Sequence, residues 1–595
     1  MKTELRAFHQ SIMAASLSSP QSDTSYASAV PEVRWVLGNG FLHPFFGSQD
    51  NSILIVTSND STAVNTPGGD ASALIFNSTC AAYVLAGNGY SLSTGSVGGE
   101  ATASDQGSTG GKVETFSGDS FGSGHPGAYS YAESYNGAAT AHGGIGYDDD
   151  GGNAEAVADV KAVANGGDSY ATGGVGGRAD ADSAGGDAQA YGGGGFGGSG
   201  IGGDAVATCV NGNTLAAGGD GEDAGGYADA GGPLGCDGYA VAVGGTAGAG
   251  GTGGYAVAHS AGDDAFATGG DAGSGGNGGD ATAIADAGNG EAYGGHSSGA
   301  GSSGGAAEVD AADTGYAVGG DGDEQGGYAL VFSSGDAEAR GGDAVGSSGI
   351  GGEGYADSAN GDATGYGGFS GTTTVPGGGT YYGGQGHAYA GNGEARAFGG
   401  DGDYFGGKAT ASGDGYTWAR GGEGAREAGG DAWAISAGGV ALAEGGDGEI
   451  YGGNASAEGD GLTIAQGGET TGSYGGLGGS ADALSHSGDA QAEGGSCAAT
   501  TGSTGGEAVA DASAAGYATA TGGDGVLGGE AYAYALYDAD ANGGYGKVDE
   551  SEGGYAFARH LYLAELQRPL VEVMASSAER LGNLATHDGL VPPAA

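Results

Sequence analysis

The chain has 595 residues, with 147 Gly but only 10 Pro, and 73 acidic residues against 15 basic ones, for a formal net charge of −58. Gly without a strict third-residue period and with so little Pro excludes a collagen triple helix, and the shortage of Leu, Ile, Val and Phe excludes a set of conventional globular cores. A surface this acidic repels nucleic acid and anionic membranes and attracts cations or basic partners.

In chain order, residues 1–29 are Ser-rich and without a period, so a flexible N-terminal segment is expected there. The opening MKTELRAFHQSIMAASLSSPQSD carries no continuous apolar stretch ahead of its small residues, and no run of about 18 apolar residues follows anywhere, so neither a secretory signal nor a transmembrane helix is expected. Residues 30–95 hold most bulky apolar side chains of the N-terminal half, in VRWVLGNGFLHPFF, NSILIVTS and ASALIFNSTCAAYVLAG, and read as a β cap or the first coils of a stack.

Residues 96–557 are a glycine-marked repeat. From Gln385 to Gly476 four consecutive segments of 23 residues each end in Gly-Gly; farther upstream the steps between such pairs run from 22 to 28 residues, slack that belongs to loops. Within DAWAISAGGVALAE, Ala432, Ala434, Ala441 and Ala443 fall on one face of two alternating strands, and Asp431, Trp433, Leu442 and Glu444 fall on the other. Since the charged residues need water, the Ala face is the inside. The pattern predicts an all-β fold: an elongated two-sheet β-solenoid of ~23-residue glycine-rich repeats with an Ala-lined core, its sheets closer than the usual ~10 Å. Methyl burial is too small to offset the cost of ordering so much Gly, so backbone hydrogen bonds between coils must supply much of the remainder. Two alternatives stay open on composition alone, a polyproline-II helix bundle packed through Gly and a disordered acidic chain; the alternation favours the solenoid.

Residues 558–595 drop the repeat. Leu563, Leu566, Leu570 and Val573 follow helical spacing, with Pro569 dividing two short helices, which predicts a helical C-terminal cap or an oligomerisation and docking segment.

Three constellations bear on chemistry. The acidic loops GGDGEDAGG (Asp220, Asp223), GGDGDEQGG (Asp321, Asp323), GGDGDYFGG (Asp401, Asp403) and GGDGEIYGG (Asp447, Glu449) offer oxygen donors suited to calcium, or serve as turn formers that keep the chain soluble. These loops resemble the calcium-binding loops of RTX β-roll proteins, with GGxGxD matched at Gly218 to Asp223, although the nine-residue period is absent and Gly or Ala stands where that family has a large apolar residue. The resemblance implies calcium as a cofactor. In composition the chain also resembles the PGRS repeats of mycobacterial surface proteins. The second constellation is aromatic: Tyr227, Tyr239, Tyr255, Tyr316 and Tyr328 follow or neighbour Gly near strand starts, where they shield strand ends or form an outward ladder able to bind a polysaccharide. The outward positions vary too much for the regular Thr ranks an ice-binding face needs.

The third is catalysis, for which no motif exists: His259, His387 and His486 have no Ser or Cys partner at a motif spacing, and no enzyme activity is expected. Cys80, Cys209, Cys236 and Cys497 form no CxxC pair, and Cys209 with Cys236 offers one bridge between neighbouring units. Asn59, Asn77 and Asn454 fit the N-x-Ser/Thr pattern, relevant in a glycosylating compartment. The expected protein is an extracellular or surface-associated structural fibre, stalk or matrix element that self-associates or meets a surface polymer, reached by an unconventional export route, by lysis or on a virus-like particle. The alternative is a calcium-dependent or carbohydrate-binding adhesin, including a viral fibre.

Overall fold

Alternating Ala and polar residues separated by short turns make short strands, and every one of them pairs in parallel with its counterpart one coil away. The computed structural model of the chain describes residues 33–37, 53–57, 68–75, 81–86, 98–106, 111–122, 124–232, 235–346, 349–371, 381–547 and 552–560. Among these the chain forms 41 strands and no α-helix, with 21 strands in one sheet, sheet A, and the remaining strands in a second, sheet B. No helix among them is long and apolar enough to cross a membrane. The architecture is the two-sheet β-solenoid, not the polyproline-II bundle.

One coil illustrates all. Strand β29 (Ala409–Gly413) lies in sheet B, a tight turn leads to β30 (Thr417–Arg420) in sheet A, Gly421-Gly422 follows, a loop swings out and back, and Gly429-Gly430 returns the chain to β31 (Ala432–Ser436) in sheet B. The register places Ala409 beside Ala432 and Ala455, and Ala419 beside Ala443 and Ala465, so the interior is a set of Ala columns. Ala409, Ala411, Ala432, Ala434, Ala441 and Ala443 are fully buried, as the alternation predicts. At the N-terminal end β1 (Val33–Leu37) pairs with β2 (Ile53–Thr57), and β2 with β4 (Ala81–Leu85), continuing sheet A. At the other end β41 (Ala556–His560) pairs with β39 (Ala531–Ala535), so the strand pattern reaches His560; the expected helices, with Leu563, Leu566, Leu570 and Val573, lie outside the described residues.

The Gly-Gly pairs are not turns. They form a waist where the two walls of each coil touch main chain to main chain, dividing the cross-section into an Ala-filled lobe and a loop lobe. Gly400 N–H donates to Gly384 O at 2.8 Å, Gly407 to Gly400 at 2.7 Å, Gly422 to Gly407 at 2.8 Å and Gly430 to Gly422 at 2.8 Å. Alternate bonds shut the two lobes: Gly407 to Gly400 closes the loop lobe, and Gly422 to Gly407 closes the Ala lobe. This zigzag runs unbroken from Ala128 to Gly554, while the first Gly of each pair bonds along the stack, as Gly406 N–H does to Ala428 O at 2.9 Å. A Cβ on Gly407 would stand 1.8 Å from Gly384 O, and one on Gly400 would stand 2.0 Å from Gly368 O, so only Gly permits the approach.

Volume is balanced across the Ala lobe as well. Val309 in β21 (Ala307–Ala311) and Val331 in β23 (Ala329–Ser333) are fully buried core residues, and opposite them sheet A carries Gly290 and Gly315, starting β20 (Gly290–Tyr293) and β22 (Gly315–Val318). A Cβ on Gly315 would meet Val331 Cγ1 at 2.3 Å. The larger side chain in one sheet is matched by the missing one in the other.

Two outcomes follow for thermal or denaturant unfolding. Gly407→Ala costs about 3 kcal/mol, because backbone must move, whereas Gly198→Ala, with open space around its Cβ, costs under about 1 kcal/mol. Gly315→Ala alone costs about 1–3 kcal/mol and becomes close to neutral in a Val331→Ala background; equal costs in both backgrounds would show that the pair is not volume-coupled.

Candidate functional site

Where the chain leaves a strand ladder at a corner of the coil, the backbone N–H of each successive corner residue points along the stack and needs an acceptor. Asp supplies it. After the first Gly-Gly pair, the carboxylate of Asp220 accepts from Thr246 N–H at 2.9 Å, Asp271 from His296 at 2.8 Å, Asp321 from Asp343 at 2.8 Å, Asp343 from Phe369 at 2.8 Å, Asp401 from Glu423 at 2.8 Å and Asp447 from Glu469 at 2.7 Å. Before sheet B the same device joins Asp204 to Tyr227 at 3.0 Å and Asp431 to Asn454 at 2.9 Å, and before sheet A it joins Asp264 to Asn289 at 2.8 Å. Charge-assisted bonds of this kind are among the stronger ones. Asn454 takes the place of Asp in the column before sheet B, its side-chain oxygen accepting from Ser480 N–H at 3.0 Å.

The acidic loops singled out in the sequence therefore divide. Asp220, Asp321, Asp401 and Asp447 are corner acceptors. Asp223 and Glu449 are exposed, and their backbone carbonyls accept from Thr252 at 2.9 Å and Gly472 at 3.0 Å. The backbone N–H of Asp323 donates to Ser302 Oγ at 3.0 Å. Asp403 is buried, with Arg426 Nε at 3.1 Å from its carboxylate and the Arg426 guanidinium 5.5 Å from the Tyr404 ring. Among the described residues no group of three or more His, Cys, Asp and Glu side chains is arranged to hold a metal ion.

The five tyrosines do not form one ladder. Tyr227, Tyr255 and Tyr328 belong to the corner column that precedes sheet B, where Tyr227 and Tyr255 stack at 5.7 Å. Tyr239 belongs to the corner before sheet A, and Tyr316 lies on the outer face of sheet A, with the Arg340 guanidinium at 6.0 Å from its ring and 5.0 Å from that of Tyr366. Two aromatic columns escaped the sequence reading because they sit in the loop lobe, where spacing is irregular. Phe121, Tyr147, Tyr170 and Phe196 stack at 4.3, 5.7 and 5.5 Å, and the Tyr382 ring lies 4.9 Å from that of Phe405 and nearly parallel to it. His259 and His387 stand on the outer face of sheet B and His486 just past the end of a sheet B strand, paired with Asp286 at 3.4 Å, Glu353 at 3.1 Å and Glu458 at 3.3 Å.

The second aromatic column forms one wall of a groove of about 1020 Å³ that runs along the stack beside the waist. Ile350, Tyr382, Phe405, Tyr451 and Leu477 line that wall, Gly-Gly pairs make the floor, and the corner residues Glu353, Gln385, Lys408, Asp431, Asn454 and Ser480 make the opposite wall. Ile350, Tyr382, Tyr451 and Leu477 are exposed. The floor amides are already used within the stack, so a ligand here meets side chains rather than a free strand edge.

No protein family matches the chain, and no curated protein is similar to it. Among solved structures, a springtail antifreeze protein from Granisotoma rainieri, described as a nine polyproline type II helical bundle, is 20% identical over 29% of this chain and 87% of its own, with a TM-score of 0.08, too low for a shared fold.

Two neighbours in one acidic column titrate in opposite senses. The His296 imidazole, 3.4 Å from the Asp321 carboxylate, holds the Asp321 carboxyl below its ordinary 3.8, whereas burial, reinforced by the Asp321 charge, pushes Asp343 above 3.8. A depressed carboxyl contributes stability that is complete above 3.8 and lost as pH falls through its folded value; a raised one carries a penalty that is absent below 3.8 and complete above its folded value. Asp321→Asn therefore lowers the thermal midpoint near pH 6, and Asp343→Asn, whose amide oxygen still accepts from Phe369, raises it. Both differences vanish in acid, and midpoints that move in the same direction would contradict the assignment.

Proposed function

We propose that the protein is a structural shaft: a surface or extracellular fibre, stalk or matrix element whose working properties are length, stiffness and an outward face repeated coil by coil. The observation that carries this reading is the unbroken main-chain zigzag from Ala128 to Gly554, which couples every coil to the next without a hinge in between. Repeat stacks of this kind act through near-neighbour contacts and set their length by repeat number. The steps from β3 (Ala71–Ile75) to β41 span roughly 90 Å at about 4.8 Å each.

Calcium, on this reading, acts by screening stacked carboxylates such as Asp401, Glu423, Asp447 and Glu469, which occupy successive coils. Monovalent salt at matched ionic strength should then stabilise the chain as well as calcium does; stabilisation by micromolar calcium alone would instead support dedicated sites.

The carbohydrate-binding adhesin is the second reading, and the groove beside the waist favours it, since an aromatic wall facing a polar one suits sugar rings and hydroxyls. Electron microscopy of the purified chain is expected to show rods of uniform width about 90 Å long; flexible coils would refute the shaft. Retention on neutral polysaccharides, abolished by Tyr382→Ala with Tyr451→Ala while the rods persist, would establish the adhesin. Unchanged retention in that double variant would remove the groove from it.

A further inference from the structure

At the tip of the Ala lobe, where sheet B turns toward sheet A, buried serines recur among Ala and Gly in one register column, as at Ser134, Ser183, Ser260, Ser358, Ser436 and Ser485. Each is placed to bind its turn. Ser436 Oγ donates to Gly415 O of the preceding coil at 2.6 Å and accepts from Gly439 N–H at 2.8 Å, and Ser485 repeats the pattern with Gly461 at 2.7 Å and Gly488 at 2.8 Å. Two consecutive places in this column are held by cysteine instead. Cys209 is in register with Ser183, and Cys236 with Ser260.

Cys236 reaches its place by an unusual route. Its strand, β15 (Ala228–Ala230), is the shortest of the sheet B strands, and the chain then swings out through Gly231, Gly232 and Gly235, all with positive φ, before Cys236 returns to the column. His259 O accepts from Cys236 N–H at 3.4 Å, and Cys236 O accepts from Ala261 N–H at 2.7 Å, which fixes the residue between its neighbours. Both thiols are buried, Cys236 completely, and both are free. Thr214 Oγ1 lies 3.4 Å from Cys236 Sγ, the Cys209 thiol donates to Gly212 O at 3.3 Å and the Cys236 thiol to Gly238 O at 3.1 Å, and the neighbouring Cys209 thiol holds the Cys236 thiol below its ordinary range.

We propose that Cys209 and Cys236 are a modification site: a dithiol that closes to a disulfide between successive coils. Parallel neighbours about 4.8 Å apart fall within the Cα separation a disulfide spans, and the glycine-rich excursion before Cys236 supplies the small backbone shift that brings the Cβ atoms together. The reactant is a disulfide oxidant. While the chain folds, before the column closes over the pair, the Cys236 thiolate attacks one of its sulfurs, forming a mixed disulfide and expelling one thiolate; Cys209 then gives up its proton and attacks Cys236 Sγ, expelling the second. Two cysteine thiols and one oxidant disulfide become one protein disulfide and two small thiols, which carry away both protons.

The test is to refold the full chain in a glutathione redox buffer, quench in acid, alkylate under denaturing conditions and map the peptides by mass spectrometry. Expected is a single linked pair of peptides, Cys209 with Cys236, lighter than the dithiol by two hydrogens and found within one chain. Cys209→Ser should abolish the link and leave Cys236 alkylated, while circular dichroism stays unchanged because Ser183 and Ser260 already hold the places on either side of the pair. Recovery of both cysteines as alkylated thiols or as glutathione adducts in excess oxidant overturns the proposal, and so does a link from either one to Cys80 or Cys497. The shaft reading is tested separately, since rods seen with the pair still reduced leave it standing.

Discussion

The close contact of two main chains at the glycine waist is the constraint on which the rest of the molecule depends. A β-solenoid usually separates its walls with side chains. Here the walls meet directly, and each Gly amide that crosses the waist closes one lobe of one coil and hands its carbonyl to the next crossing. Because a Cβ at these positions would lie about 2 Å from a carbonyl oxygen, Gly recurs in pairs on both sides of the loops from Gly143-Gly144 onward. The Ala core follows from the same constraint. Walls pinned together at the waist leave room at mid-lobe for a methyl group from each side, and where sheet B carries Val309 and Val331 sheet A carries Gly290 and Gly315.

The acidity has a structural source of the same kind. Parallel coils leave an N–H pointing along the stack at each corner, and Asp is short enough to take it from the coil before. The bond is local and favourable, but it stacks like charges along the corners. The same column answers this repulsion in places with His296, Thr246 or Ser496, and burial leaves Asp343 the least comfortable of its acids. Part of the net charge of −58 is thus the outcome of satisfying backbone amides, independent of any ligand the surface meets.

How much of this was legible in the sequence follows from which forces leave a period. The alternation in DAWAISAGGVALAE identifies the strands and their inner face, since burial of Ala432, Ala434, Ala441 and Ala443 repeats every second residue. Gly-Gly announces the repeat but not its purpose: a turn and a main-chain contact both select Gly, and only the position of Gly407 against Gly384 O distinguishes them. The acids were visible as loops but not as acceptors, because Asp220 and Thr246 are partners only once the coil length is known. The tyrosines misled for a related reason. Tyr227 and Tyr316 share a Gly neighbour yet occupy a corner and a sheet face, as their different distances from the waist pairs require.

A stack in which every coil repeats the same few positions turns each position into a column, and a column carries chemistry only where its residues depart from the rule. The column at the lobe tip binds its own turns at Ser436 and Ser485, and it carries the proposed dithiol where Cys209 and Cys236 take consecutive places. The column just before the second Gly-Gly pair of each coil is Thr252, Asn277 and Ser303 in one stretch and Tyr382, Phe405, Ala428 and Tyr451 in another, and the latter walls the groove. Function in such a chain is therefore written in local runs of atypical residues laid over a uniform scaffold. The waist makes this possible: with its stability drawn from backbone contacts, the stack leaves its outer columns free to vary.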